Sequence, residues 1–420
     1  MRRELVWRTL GGAIIALLTC PGVASAANGD RCDALTDEDN VVPTVYIENG
    51  DTQEPLVKKI GALLMQSPTK LRIVYRNRPT CNIRDDIFRG ARMTKVTDGT
   101  TARPVRYIPA GFDPATPAPQ CTVPDPDSGT PDVGVPIALG IGATYISSCT
   151  AIDKPADIGV VDGPVQAYGF ITHEDSTQIA ITAVEGYLAF GFPEATGEAA
   201  PWTVQNLRFK RGDTASTTLT MSAALRLKPA QMLTTDPKGI GTSEALMDLV
   251  AKSSNPEATI GILGAELYDQ HRGEGVKLLA FKAFGQRKAY FPDKTNVSFD
   301  KQNVRDGHYL PWSPTPYMAK VDGGGVFTDA HAKRIHDLVM GFGAEEGGLL
   351  QVVKSGLVPE CAMKVSRAGD GADLSLYEDP APCGCYFEKS VPGGTTTCAE
   401  CTDDTTCGGG KCRLGFCEAR

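Results

Sequence analysis

The stretch from Leu279 to Pro316, LAFKAFGQRKAYFPDKTNVSFDKQNVRDGHYLPWSPTP, concentrates aromatic and charged residues within an otherwise ordinary globular composition. It begins inside an apolar run, Val276 to Phe281, and passes into a loop carrying Gln286, Arg287, Tyr290, Pro292 and Asp293. A helix-to-turn reading follows at Asn303-Val304-Arg305-Asp306-Gly307, because Asp-Gly marks a turn. Two uses of Arg305, Asp306, His308 and Trp312 are open on the residues alone. They form a hydrogen-bonded structural knot between folding units, as buried polar groups usually do, or they touch a ligand directly.

Residues 1–26 read as an export signal. Arg2, Arg3 and Arg8 make a basic start, Gly11 to Leu18 an apolar core, and Ala24-Ser25-Ala26 a small-residue cleavage site. That core is too short to span a bilayer. Arg2-Arg3-Glu4-Leu5-Val6 has a faint twin-arginine look, but the short start favours the general secretory route. Cys20 follows Leu17-Leu18-Thr19 in a lipoprotein-box-like setting, yet Thr19 stands where that pattern has Gly, Ala or Ser, so lipid anchoring is not expected. The chain is therefore expected in the periplasm, at the cell surface or secreted. The formal charge of −8 becomes more negative once a segment with three arginines and one glutamate is removed. An acidic surface excludes nucleic acid as the expected partner.

With 420 residues, the chain exceeds what one core usually supports and predicts two or three folding units. From Thr44 to Ser355, short apolar runs alternate with amphipathic stretches, the pattern of an α/β fold with mostly parallel sheets. Thr44 to Ile47 and Leu71 to Tyr75 read as strands, Pro55 to Met65 and Arg84 to Phe88 as helices. A second cycle begins at Asp157 to Gly163, with a helix at Ser243 to Ala251, a strand at Thr259 to Leu263 and a last helix at His331 to Met340. Residues 104–136 interrupt the rhythm with a Pro, Asp and Gly-rich insertion containing Cys121, expected to be tied to Cys149. Beyond Ser355 the periodicity gives way to Asp, Gly, Thr and Cys, marking a small C-terminal module at 356–420.

Besides Cys20, the cysteines fall into two even groups, Cys32, Cys81, Cys121 and Cys149, then Cys361, Cys383, Cys385, Cys398, Cys401, Cys407, Cys412 and Cys417. In an oxidising compartment each group is expected to close on itself as disulfides. Disulfides consume the thiolates that zinc would need, so neither metal nor cofactor is expected. No nucleophile elbow, paired histidine ligands or phosphate loop points to an enzyme. His331 and His336 are poorly placed to share a helix face.

Three places set a loop with Gly or hydroxyl residues before a helix start: Asn49-Gly50-Asp51-Thr52, Pro79-Thr80-Cys81, and Gly239-Ile240-Gly241-Thr242-Ser243. Free amides at such ends attract anions, while the same hydroxyls also serve as simple caps.

Several segments, in order, resemble the phosphate-type extracytoplasmic solute-binding proteins. YIENGDTQEPLVKKIGALL, residues 46–64, is similar to their first strand and helix, and DPKGIGTSEALMDLV, residues 236–250, to their later Ser-Gly-Thr loop. IGILGAELYDQHR, residues 260–272, and the Leu279 to Pro316 segment resemble the second lobe. The resemblance covers about Thr44 to Pro316, and CAECTDDTTCGGGKCRLGFCE, residues 398–418, is loosely similar to cysteine-rich ends of bacterial surface proteins. It implies two α/β lobes over 27–355 joined by crossing strands and closing on a small anion such as phosphate, for delivery to an ABC transporter membrane component. The implied ligand set is Gly50, Asp51, Thr52, Thr80, Gly241, Thr242 and Ser243, with Lys238 and Arg305 as cations and Arg287 as a further candidate. Departures stand beside it. Ile240 replaces the family serine, the loop lacks the arginine expected before it, and Ile141-Gly142-Ala143-Thr144 stands where the family has Ser-Asp, unless Asp162 substitutes. Glu48, Asp51 and Asp236 bring like charge to the supposed anion loops. The alternative expectation is a surface or matrix protein that keeps the scaffold, has lost its solute site, and makes cell-surface contacts through its C-terminal module.

Overall fold

The structure, a computed structural model, describes residues 31–37, 40–93, 104–123, 134–193, 197–342 and 347–418. The export signal with Cys20 and the middle of the Pro-rich insertion lie outside the described residues.

The first lobe is built from β1 (Thr44–Asn49), α1 (Glu54–Gln66), β2 (Arg72–Asn77), α2 (Thr80–Phe88), β3 (Val105–Tyr107), β4 (Gln120–Cys121), β5 (Leu139–Ile141) and β6 (Ile158–Val161). Pro55 suits the first turn of α1, where its missing N–H is not needed. Leu56, Val57, Ile60 and Leu64 recur at helical spacing and are buried against the sheet. The chain then crosses into the second lobe with β7 (Val165–His173), α3 (Ala183–Gly191), β8 (Arg208–Phe209), α4 (Ser216–Ala224), α5 (Ser243–Ala251), β9 (Ile260–Gly264), α6 (Ala265–Gln270), β10 (Val276–Leu278), α7 (Gln302–Arg305) and β11 (Trp312–Pro314). It returns to the first lobe with β12 (Tyr317–Lys320), α8 (Ala330–Met340) and α9 (Gly348–Lys354).

The first lobe holds a seven-stranded sheet in the order β6-β12-β5-β1-β2-β3-β4, and the second a five-stranded sheet, β8-β9-β7-β10 with β11 on β7. The two connections between lobes run side by side and antiparallel: Val161 pairs with Tyr317 on one side of the crossing and Val165 with Pro314 on the other. This is a two-lobed α/β fold. Within these sheets parallel pairing joins β1 to β2 and β5, and β8 to β9. The sheets are thus mixed, which corrects the expectation of mostly parallel ones; strands that cross and return necessarily pair antiparallel.

Each lobe has its own core. Val45, Ile47, Ile73 and Tyr317 centre the first, and Tyr168, Phe170, Trp202 and Phe281 the second. Residues beyond Ser355 join the second core: Cys361, Cys383, Phe387 and Val391 belong to the same cluster as Phe170. Between them, β13 (Val365–Ser366) and β14 (Ser375–Leu376) form a small hairpin, followed by α10 (Gly384–Ser390). The Glu418 carboxylate accepts from the Cys385 and Tyr386 amides at 2.9 and 3.0 Å, giving α10 an acidic partner at its positive end.

Disulfides close within the two cysteine groups: Cys32–Cys121, Cys81–Cys149, Cys361–Cys383, Cys385–Cys398, Cys401–Cys412 and Cys407–Cys417. The expected Cys121–Cys149 bond is not formed. The Cys32 amide donates to Thr122 O at 2.8 Å, which brings Cys121 to the N-terminal segment, while Cys149 follows a turn packed on α2 and meets Cys81 there.

Candidate functional site

Two of the three helix starts singled out in the sequence, at Asp51 and at Ser243, meet at the seam between the lobes. Asp51 opens a single 3-10 turn that leads into α1. Its carboxylate is bound from the other lobe by the Arg211 guanidinium and accepts from Ser243 Oγ at 3.2 Å. Arg211 sits in the loop between β8 and α4. It donates through Nε to Ile240 O at 2.9 Å, through one terminal nitrogen to Ser243 Oγ at 2.6 Å, and through the other to Gly241 O at 2.8 Å. The arginine expected near the Gly239–Ser243 loop is therefore supplied from 32 residues before Ser243. Burial opposes charge on the Asp51 carboxyl, but Arg211 and the hydrogen bonds from Arg211 and Ser243 prevail and hold it below the usual carboxylate range.

Further contacts tie the seam. Gln53 Nε2 donates to Gln166 Oε1 at 2.5 Å, and the Tyr168 hydroxyl donates to Ala143 O. Thr144 Oγ1 lies 2.9 Å from Thr220 Oγ1 on α4. A second carboxylate, Asp370 from the β13–β14 hairpin, accepts from Thr144 and Ser313 in the same region. Glu266, fully buried at the start of α6, is pushed up to about 8 by burial, with Asp51 adding to the rise. Burial thus favours its neutral form. Two seam hydroxyls, Thr52 Oγ1 and Thr217 Oγ1, are buried without a hydrogen-bond partner among the described residues.

The remaining candidates are placed as follows. Gly50 donates its amide to Ile141 O at 3.0 Å, and Thr80 Oγ1 accepts from the Ala143 amide at 3.0 Å. Thr242 caps α5, accepting from the Ala245 amide at 3.1 Å, while Gly241 contributes its carbonyl to Arg211. The Lys238 side chain is exposed, and so is Arg287. Arg305 turns to the C-terminal segment, donating to Ala362 O at 2.9 Å and Glu388 Oε1 at 3.1 Å with Phe387 beneath it at 5.2 Å. Glu48 is not a free charge behind the Gly50 loop, because Arg76 binds it. Asp162 lines a small cavity beside Tyr145, Glu360 and Tyr377. The sulfurs of Cys401, Cys407 and Cys417 lie within 4.8 Å of one another but are all in disulfides. Sequence reasoning missed Arg211 and Asp370. Arg211 carried a signal, standing just before the hydroxyl run Ser216-Thr217-Thr218 that opens α4; Asp370 carried none beyond its flanking glycines.

No protein-family model matches the chain, and no curated protein is recognisably similar to it. Among solved structures it is similar to a putative phosphate ABC transporter substrate-binding protein with bound phosphate from Clostridium perfringens, at 12% identity and a TM-score of 0.48, covering 75% of this chain and 99% of that one. An ABC-type phosphate transport receptor from Vibrio cholerae shows 10% identity and a TM-score of 0.45, over 75% of this chain and 99% of that one. PstS from Borrelia burgdorferi shows 11% and 0.39, over 76% and 98%.

Proposed function

We propose that this chain is an exported protein that keeps the two-lobed solute-binding scaffold but fills the interlobe anion position with its own Asp51 carboxylate, serving outside the cytoplasm without carrying a free oxyanion. The Asp51–Arg211–Ser243 cluster carries this reading. Arg211 is 7% exposed and its donors are already aimed at protein acceptors, so an incoming anion has to displace Asp51. Separating a buried ion pair costs about 3–5 kcal/mol. Because Asp51 retains 24% of its exposure, the lower end applies, about 3 kcal/mol, or roughly two decades of affinity. Under this reading the exposed disulfide-bonded end at 401–418 is the part available for cell-surface contacts.

The second reading is a binder of phosphate or a related oxyanion that hands its ligand to an ABC transporter membrane component. The unpartnered Thr52 and Thr217 hydroxyls favour it, as does the start of α4, where Ala215 provides no side-chain cap. Calorimetry of the mature protein with phosphate and with sulfate separates the two. The first reading expects no binding heat for the native protein at micromolar ligand and a measurable gain for Asp51→Asn, which loosens the grip on Arg211. Micromolar binding by the native protein overturns it in favour of the second.

A further inference from the structure

The tip of the β13–β14 hairpin is Gly369-Asp370-Gly371. It turns tightly, with Gly371 at φ 76° and the Ala372 amide donating to Gly369 O at 3.1 Å. The root of the hairpin belongs to the second lobe: Val365 and Leu374 pack against its core and close around Gly307, where a Cβ would meet Leu374 at 2.8 Å. The tip reaches the first lobe. Asp370 Oδ2 accepts from Thr144 Oγ1 at 2.8 Å and Ser148 Oγ at 2.6 Å, and Oδ1 accepts from Ser313 Oγ at 2.7 Å. Beside it the Tyr145 hydroxyl donates to Arg367 O at 3.1 Å. Thr220 Oγ1, on α4 of the second lobe, completes the ring at 2.9 Å from Thr144 Oγ1 and 3.1 Å from Ser313 Oγ.

A carboxylate only accepts, so Thr144, Ser148 and Ser313 must all turn their protons to Asp370. Thr144 and Ser313 then present lone pairs to Thr220, whose proton goes to one of them. Every hydroxyl is thus oriented around one negative charge, and Thr144, Thr220 and Ser313 are buried. Without an anion they lose their common acceptor. The Arg367 guanidinium, 3.7 Å from Asp370 and stacked 4.3 Å from the Trp312 ring centroid, supplies the opposite charge. A cavity of about 350 Å³ lies on the other side of the tip, lined by Thr220, Arg226, Phe284, Leu310, Asp370 and Leu374. Thr220 and Asp370 both line it, so a small solute held there would border the cradle.

We propose that residues 365–376 are a tethered ligand: Asp370 occupies a carboxylate-binding cradle of Thr144, Ser148, Thr220 and Ser313 and thereby fastens one lobe to the other. The cradle is an anion site of its own, filled in cis. The inference goes beyond the Asp51 reading and stands whether or not the seam takes phosphate, because its test leaves Asp51 and Arg211 untouched.

The test is rescue with formate, the smallest free carboxylate, on the full mature chain carrying Asp370→Ala. Melting temperature and the radius of gyration from small-angle X-ray scattering are the readouts. Asp370→Ala is expected to melt several degrees lower and to have a larger radius of gyration. Formate should restore both saturably in this variant and do nothing to the native protein. Asp370→Asn fills the cradle with a neutral amide, so it should also melt lower but gain nothing from formate. If Asp370→Ala fails to fold, the Asn variant carries the test through the same two readouts. Variants indistinguishable from the native protein, or formate acting equally on native and variant chains, overturn the proposal.

Discussion

Arg305 lies against Phe387 with its guanidinium shared between Ala362 O and Glu388, 57 and 83 residues away in sequence. Of the two uses open to it in the sequence, these contacts describe the structural one. A lysine cannot hold both partners in one plane, and hydrogen bonds to a buried charge contribute about 1.5–3 kcal/mol. Arg305→Lys is therefore expected to lower the melting temperature and leave anion responses unchanged; a thermal melt identical to the native one would count against the structural role. Glu266 gives a pH signature. Burial raises its carboxyl from 4.5 to about 8, so the folded state holds a proton that the unfolded state releases. The stability this contributes is complete below about pH 4.5 and is lost as pH rises through about 8. Glu48 and Glu360, each pushed up to about 7 mainly by burial, act in the same direction. Glu266→Gln should flatten the fall in unfolding free energy between pH 5 and pH 8, measured by denaturant titration. An unchanged slope would show that Glu266 titrates normally.

At the scale of elements, boundaries follow local chemistry. Thr242 starts α5 where the sequence placed it, and its hydroxyl satisfies the Ala245 amide. Thr242→Ala should cost about 1 kcal/mol, the usual worth of an N-cap, read as a lower denaturation midpoint. A Thr242 that bound solute instead would leave the midpoint nearly unmoved. The helices at 54–66 and 330–340 were similarly legible, the first because apolar residues return at a 3.6-residue period behind Pro55. The mixed strand pairing was not legible. Alternating apolar runs identify strands, but their direction depends on where the chain crosses between lobes.

For the whole molecule, the two-lobed core extends past the apparent change of composition at Ser355. Phe387 and Val391 are buried with Phe170 and Trp202, and Cys361–Cys383 lies in the same cluster. Removing residues 400–420 takes away a surface hairpin and the Glu418 contact to α10, so the expected loss is a few degrees of melting temperature. Removing 357–420 strips apolar cover from the second lobe and should leave no cooperative transition in calorimetry. A shorter chain that melted like the full one would show that the C-terminal part is dispensable to the core. Sequence by itself determined the strands near 44, 72 and 260, the helices at 54–66, 243–251 and 330–340, the α/β class, the even grouping of cysteines and the helix-start loops at Gly50 and Gly241, because each rests on periodicity, caps or counts within a short window. Only the tertiary structure decided that Asp51 meets Arg211 across 160 residues and that Asp370 meets Thr144 across 226. Those pairings depend on how two lobes and a returning hairpin pack in space, and no local pattern encodes which distant charge will face a given helix end.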